Sequence, residues 1–458
     1  MKKNLCNLTF LVSLLFAVGC GPTAQKQATE HVANSKVYTH PSWTKNANIY
    51  EVNIRQYTNE GTFAAFEKHM PRLKEMGVDI LWIMPIHPIG EINRKGTLGS
   101  YYAVKDYQQV NPEFGNMEDF KHMVSTAHEL GMYVIIDWVA NHTSWDNWLM
   151  QSHPDWYTRD SLNKVVAPVA DWADVADLDY NVPELREYIA QSMEFWVKEA
   201  NIDGYRCDVA CMVPTDFWIN VRVRLDSIKP VFMLAECESK EILSAFDMIY
   251  GWDFHHIMNQ IAQKKQDVQA LNAYFTKIDT VYDADEYYMN FTSNHDENSW
   301  NGTEYDRMGV AAPAMAVLAA TVPGMPLIYT GQEDKLSRKL NFFEKDPIAW
   351  NDFTLQGFYQ KLLTLKHDNK ALWNGAAGGS MQIVANSGTN VFSFIRQNGP
   401  DKVLVVLNLT DTEQSVKFEE SQIFGVYQSL FAQTQVSIEK EANLKLEPWG
   451  YLVLTAIK

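Results

Sequence analysis

Positive charge is scarce in this chain: 39 Lys and Arg stand against 56 Asp and Glu, for a formal net charge of -17 over 458 residues. A nucleic-acid partner needs basic stripes to neutralise phosphates, so that class is excluded, and a neutral or cationic ligand fits more easily. Cysteine is sparse too. Beyond Cys6 and Cys20 only Cys207, Cys211 and Cys237 remain, an odd number without metal-like spacing. They imply neither a disulfide framework nor a zinc site, and are expected to act as small buried apolar residues.

Long apolar runs are also missing. "LTFLVSLLFAVG", after Lys2 and Lys3 and before Cys20, is too short for a membrane span but has the charged start, greasy middle and small end of a secretory signal. Gly19-Cys20 resembles a bacterial lipoprotein cleavage site, with Cys20 as the lipidated residue, although Ala17 replaces the usual leucine. The expectation is an exported chain, lipid-anchored on the periplasmic or cell-surface face of a membrane. The stretch from Gly309 to Gly331 is interrupted by Pro313, Pro323 and Pro326 and reads as a buried helix followed by a buried strand. No transmembrane helix is expected in the mature protein.

What is present is alternation. Eight β-rich runs, "IYEVNIRQY", "VDILWIMP", "MYVIIDWV", "IDGYRCDV", "VFMLAE", "FDMIYGWD", "YYMNFTSN" and "MPLIYTG", are each followed by a helix-length segment. Eight such units, with no Gly-rich phosphate turn after the first, predict an α/β fold of the (β/α)8 TIM-barrel type rather than an open doubly wound sheet. The third unit carries a long Trp-, Asp- and His-rich connection, and long loops in compact domains tend to be functional. After a last helix near 355–372, period-2 runs such as "KVLVVLNLT" predict a C-terminal antiparallel β-sandwich. The expected organisation is a signal peptide at 1–20, a tether at 21–40, a barrel at 41–372 with an inserted subdomain at 141–183, and the β-sandwich domain at 373–458.

Within "YRCDVACM", Arg206 and Asp208 share one face of the fourth strand, which in a barrel is the interior. A buried charge pair is costly unless something requires it. Glu236 ends the fifth strand and Asp296 follows the seventh, so three carboxylates converge on the rim where barrel active sites lie. Adjacent strand ends can bring Asp208 and Glu236 to the separation of about 5 to 5.5 Å used in double-displacement glycoside cleavage. The expectation is that Arg206 lowers the Asp208 pKa and keeps that carboxylate ionised.

"DWVANH" (137–142), "GYRCD" (204–208), "LAE" (234–236) and "FTSNHD" (291–296), with "ADLDYN" (176–181) and "GMPLIYTGQE" (324–333), occur in one order and spacing. In these the chain resembles the α-amylase family of glycoside hydrolases over roughly residues 45 to 458. The resemblance implies Asp208 as nucleophile, Glu236 as general acid/base and Asp296 as transition-state stabiliser. It further implies that His142 and His295 bond the reacting sugar, Tyr102 stacks beneath it, Arg206 orients Asp208, and Asp137 and Asn141 support them. No cofactor or metal ligand set is implied. A structural calcium is only weakly suggested, because Cys211 and Met212 stand where many α-amylases have a Lys-His pair.

The leading reading is a retaining hydrolase of α-glucans and malto-oligosaccharides, mainly at α-1,4 bonds. A transglycosylase on the same scaffold is the alternative, and a non-catalytic carbohydrate-binding lipoprotein the third. "RCDVACMVP" is closer to the neopullulanase and cyclomaltodextrinase branch, whereas "ADLD" is similar to members acting on α-1,6 bonds.

Overall fold

The computed structural model describes residues 36, 38–440 and 443–457. The expected signal peptide, Cys20 and most of the tether lie outside the described residues. Eight parallel strands close a barrel: β1 (Ile49–Val52), β2 (Ile80–Ile83), β3 (Tyr133–Trp138), β6 (Gly204–Cys207), β7 (Phe232–Ala235), β8 (Met248–Tyr250), β9 (Tyr287–Asn290) and β10 (Met325–Tyr329). These are the eight runs singled out in the sequence. Between β3 and β6, a short antiparallel hairpin, β4 (His142–Ser144) with β5 (Val175–Asp177), anchors the long connection.

Alternation along the strands sorts side chains into two layers. Ile49, Ile80, Trp82, Ile135, Phe232, Leu234 and Leu327 fill the barrel interior. Their neighbours Tyr50, Leu81, Ile83, Val134, Ile136, Tyr205 and Met233 face the helical shell. That second layer explains why the strands read as continuous apolar runs: both faces are buried. Glycine is required at 204, where φ is +151° and a Cβ would run into the Phe232 carbonyl of the neighbouring strand. The close approach of β6 to β7 brings the two principal carboxylates together.

The helices are started by local chemistry. Asn116 closes a capping box with Asp119 at the head of the helix Met117–Glu129, and Pro183 opens the helix Pro183–Ala200. The Pro-broken apolar stretch forms a buried helix, Ala312–Thr321, followed by β10. Among the described residues no helix is long and apolar enough to cross a membrane.

The C-terminal region is an antiparallel sheet of six strands in the order β11 (Ser380–Ile383), β12 (Val391–Asn398), β13 (Asp401–Asn408), β18 (Tyr451–Ala456), β15 (Gly425–Ser429), β16 (Gln435–Ile438). A two-stranded ribbon, β14 (Gln414–Val416) with β17 (Leu444–Leu446), packs Val416 and Leu446 with Ile395, Leu404 and Val406 of the sheet. The expected sandwich is therefore lopsided, six strands against two. Residues 38 and 40, assigned to the tether, are instead docked. The Tyr38 hydroxyl donates to the Leu243 carbonyl at 3.1 Å, and His40 Nδ1 lies 2.8 Å from Asp247 Oδ1.

Candidate active site

Arg206 is the hub of the barrel mouth. It is fully buried, and its strand pairs it in register with Asp137 on β3. Its Nη1 donates to Asp137 Oδ1 at 2.8 Å and to Asp208 Oδ1 at 2.9 Å, while Nε donates to the Tyr250 hydroxyl at 3.1 Å. Nη2 sits 2.8 Å from Glu236 Oε2, as an ion pair rather than an aligned hydrogen bond. The guanidinium also lies 5.1 Å from the Trp82 ring centroid. One cation thus serves three carboxylates.

That ratio decides the protonation state. Burial pushes the Asp208 carboxyl well above its ordinary range; Arg206 opposes the shift, and Glu236 and Asp137 add to it. Burial likewise raises Asp137 against the pull of Arg206. The expectation that Arg206 would leave Asp208 with a lowered pKa is corrected, because a shared guanidinium does not offset desolvation plus two like charges. Asp137 and Asp208 are thus coupled through Arg206, so a proton lost or gained by one shifts the other.

Across the cleft the two histidines differ in charge. Burial pushes His142 down to about 4, so its ring is neutral at physiological pH. At His295 burial acts in the same direction, but Asp296 and Glu51 outweigh it and push the ring up to about 9. His295 Nδ1 donates to Glu51 Oε1 at 2.5 Å and Nε2 donates to the Tyr102 hydroxyl at 2.8 Å, with Asp296 Oδ2 at 3.4 Å. The Tyr102 hydroxyl in turn donates to Asp137 Oδ2 at 3.0 Å, which also accepts from Trp82 Nε1 at 3.2 Å. A continuous polar chain therefore runs from Glu51 through His295 and Tyr102 to Asp137 and Arg206.

Tyr102, His142, Asp208, Glu236, His295 and Asp296 line one cleft of about 180 Å³, walled by Trp172, Trp300, Phe342 and Phe343. A larger hollow of about 510 Å³ near Lys264, Asn390 and Asp411 brings no comparable set of groups together. Asp137 and Asn141 lie behind the cleft. Asn141 turns its amide toward Asp177 Oδ1 (3.4 Å) and His142 Nδ1 (3.3 Å). Trp156 and Trp145 pack the long connection, and Trp148 stays on its surface.

The loops after β6 and β7 are joined covalently. Cys211 and Cys237 form a disulfide with a Cα separation of 5.5 Å, whereas Cys207 is free and buried. This overturns the expectation of three small apolar cysteines. The pair became visible only when neighbouring strands set the loops side by side. Between the disulfide and Asp208 stands Val209, with φ of 36°. A β-branched residue in the left-handed region costs on the order of 1–3 kcal/mol and persists only where its surroundings fix it. Its N–H donates to Glu236 Oε2 at 2.8 Å.

The family model described as "Alpha amylase, catalytic domain" matches residues 44–173 and 169–370, more than half of the chain. This chain belongs to the α-amylase family. The model for the "Maltogenic Amylase, C-terminal domain" matches residues 381–453. The solved structure of an α-amylase from Lactobacillus plantarum superposes with a TM-score of 0.82 at 31% identity, covering 90% of this chain and 99% of that one. A noncanonic maltogenic α-amylase, AmyB, from Thermotoga neapolitana gives 0.82 at 32%, with the same coverage. Among curated relatives, α-amylase MalA of Haloarcula japonica is 25% identical over 82% of this chain, which spans only 57% of MalA's length. A cyclomaltodextrinase from a Bacillus species is 24% identical over 81% of this chain and 74% of its own.

As an α-amylase-family glycoside hydrolase the protein requires no cofactor. No residue is assigned to the structural calcium considered above: Asn141 donates from its amide nitrogen toward Asp177 Oδ1 and His142 Nδ1. Among the described residues no group of three or more His, Cys, Asp or Glu could hold a metal ion. Sequence reasoning missed Glu51, Tyr250 and the Phe342–Phe343 wall. Glu51 carried a usable signal, a carboxylate inside the apolar run "IYEV", of the same kind that drew attention to Arg206.

Proposed function

We propose that this chain hydrolyses α-1,4-glucosidic bonds in malto-oligosaccharides and related starch-derived glucans, with retention of anomeric configuration. The observation that carries the reading is the single guanidinium of Arg206 touching both Asp208 and Glu236 at the floor of the cleft. Two carboxylates on one guanidinium favour the short separation of double displacement, about 5 to 5.5 Å, over the ~6.5–9.5 Å of inverting enzymes.

In the first step Asp208 attacks the anomeric carbon while Glu236 gives its proton to the leaving oxygen, so the glycosidic C–O bond breaks as a glycosyl ester forms. Water then adds to the anomeric carbon, Glu236 takes its proton, and the ester bond to Asp208 breaks. Asp296 and the His295 imidazolium stand beside the sugar, where one offers negative charge to the oxocarbenium-like transition state and the other a fixed cationic anchor. The preference for malto-oligosaccharides rests on the maltogenic C-terminal domain and on relatives named cyclomaltodextrinase, neopullulanase and maltogenic amylase.

Incubation of the purified protein with maltoheptaose, pullulan, cyclodextrin and isomaltose, followed by chromatography, tests the reading. Short malto-oligosaccharides from wild type and none from Asp208→Asn are expected. Binding without products would refute hydrolysis in favour of a carbohydrate-binding protein, and products longer than the substrate would favour transfer.

Export and lipid anchoring at Cys20 form part of the same proposal, supported by Lys2, Lys3, the short apolar run and Gly19-Cys20. A disulfide between Cys211 and Cys237 suits an oxidising compartment. Detergent-phase partitioning of wild type that disappears in Cys20→Ala is expected, and identical aqueous partitioning of the two would refute the anchor.

A further inference from the structure

The Cys211–Cys237 disulfide occupies a singular place in the chain. Cys211 lies three residues beyond Asp208, and Cys237 directly follows Glu236. The covalent link therefore joins the two loops that carry the nucleophile and the acid/base, on the strands β6 and β7 that pair at Gly204–Phe232 through Cys207–Ala235. Two residues before Cys211 stands Val209, in the left-handed region and directing its N–H at Glu236 Oε2 at 2.8 Å. The Glu236 backbone is fixed on the strand side, where its N–H donates to the Cys207 carbonyl at 3.0 Å, and the Tyr250 N–H donates to the Cys237 carbonyl at 3.1 Å. Ala210 is buried and its carbonyl accepts from Trp218 Nε1 at 3.0 Å, whereas Cys211 and Met212 are exposed, so on the solvent side of this loop the disulfide adds a covalent tie to the hydrogen bonds of the turn.

We propose that Cys211 and Cys237 are positioning residues, whose disulfide holds the Val209 turn against Glu236 and so keeps the acid/base aligned with Asp208. A residue in a disfavoured backbone region relaxes when its frame is released. Relaxation of Val209 withdraws the N–H from Glu236 and lets the carboxylate drift from the scissile bond. The consequence is a loss in the chemical step rather than in binding, since neither sulfur lines the cleft. A misplacement of about 1 Å costs up to about 100-fold in rate, and a partial release about ten-fold.

The inference rests on the glycoside-hydrolase reading, and the experiment separates the two. The full chain is purified without reductant and mapped by alkylation and peptide mass, then treated with dithiothreitol. In that reaction the S–S bond breaks, two thiols form, and the reductant closes to its cyclic disulfide. The comparison protein is the Cys211→Ser/Cys237→Ser double variant. Expected are a linked 211–237 peptide before reduction, a kcat on maltoheptaose about ten-fold lower after it with KM within about two-fold, and faster amide exchange over residues 208–213. The double variant should show the lowered kcat and ignore the reductant. Free thiols at both positions in the untreated protein would overturn the proposal. So would full reduction that leaves kcat and exchange unchanged, or a kcat loss that merely tracks the fraction of unfolded protein by circular dichroism. A wild type that turns over no glucan refutes the functional reading alone, and the exchange measurement still decides the clamp.

Discussion

Replacing Glu51 by Gln tests whether a residue remote from the sugar sets the charge of the active site. Glu51 is fully buried and holds His295 Nδ1 at 2.5 Å, and together with Asp296 it pushes the imidazole up to about 9. Relative to an ordinary histidine near 6.5, that rise corresponds to roughly 3 kcal/mol favouring the protonated native state, at about 1.4 kcal/mol per unit. A raised pKa contributes its full stability below about 6.5 and loses it as pH rises through about 9. Gln keeps the shape and can still accept from Nδ1–H, but it removes the charge. Asp296, the larger of the two raising influences, retains its share, so the variant's stability relative to wild type should fall by about 1–2 kcal/mol between pH 9.5 and pH 6, on top of a pH-independent gain from no longer burying the Glu51 carboxylate, whose own pKa burial raises. Besides these, Tyr102, Arg206 and Asp137 act on the ring; Tyr102 and Arg206 lie above that window, and the Asp137 carboxyl, raised by burial, is left intact in both proteins. Urea unfolding at half-unit steps from pH 6 to 9.5 measures the gap between the two proteins, and a kcat profile over the same range reports the consequence for turnover. A gap that stays constant with pH would refute the coupling of Glu51 to His295.

Asp208→Asn should lower kcat by at least about 10³-fold yet melt no lower than wild type. Its carboxyl is raised by burial and by Glu236 and Asp137, so an ionised Asp208 costs stability at neutral pH, and scanning calorimetry checks the sign. Arg206→Met should destabilise the fold by about 3–5 kcal/mol, because Asp137, Asp208 and Glu236 lose their only shared cation; guanidinium unfolding reads it, and a change under about 1 kcal/mol would contradict the hub role. Arg396 is fully buried and donates to the carbonyls of Gly379 (3.0 Å), Val322 (3.1 Å) and Trp373 (3.0 Å). Arg396→Met should cost about 2–4 kcal/mol by orphaning those acceptors, with kcat per folded molecule unchanged.

Most of the barrel was legible in the chain because its strands are buried on both faces and separated by helix-length segments. Continuous apolar runs such as "VDILWIMP" mark such strands, and eight of them in series leave a closed barrel as the economical solution. The carboxylates were legible for a related reason: Asp208, Glu236 and Asp296 each end or follow a strand, and a parallel barrel brings every strand's carboxyl end to one rim. Arg206 and Asp208 stood out because charge inside a core strand needs a cause.

Tertiary structure alone decided how those charges are shared. Pairing of β3 with β6 places Asp137 beside Arg206, so one guanidinium serves three acids and the direction of the Asp208 shift reverses. Closure of β1 against β10 brings Glu51 within reach of His295, 244 positions away. The disulfide depends on the same strand geometry, since Cys211 and Cys237 are 26 residues apart and become neighbours only when β6 and β7 pair in register. Local sequence fixes which residues are buried and where a strand ends, because those follow from periodicity and turn chemistry. Which buried charge meets which, and hence where protons reside, depends on distances across strands that no local pattern encodes.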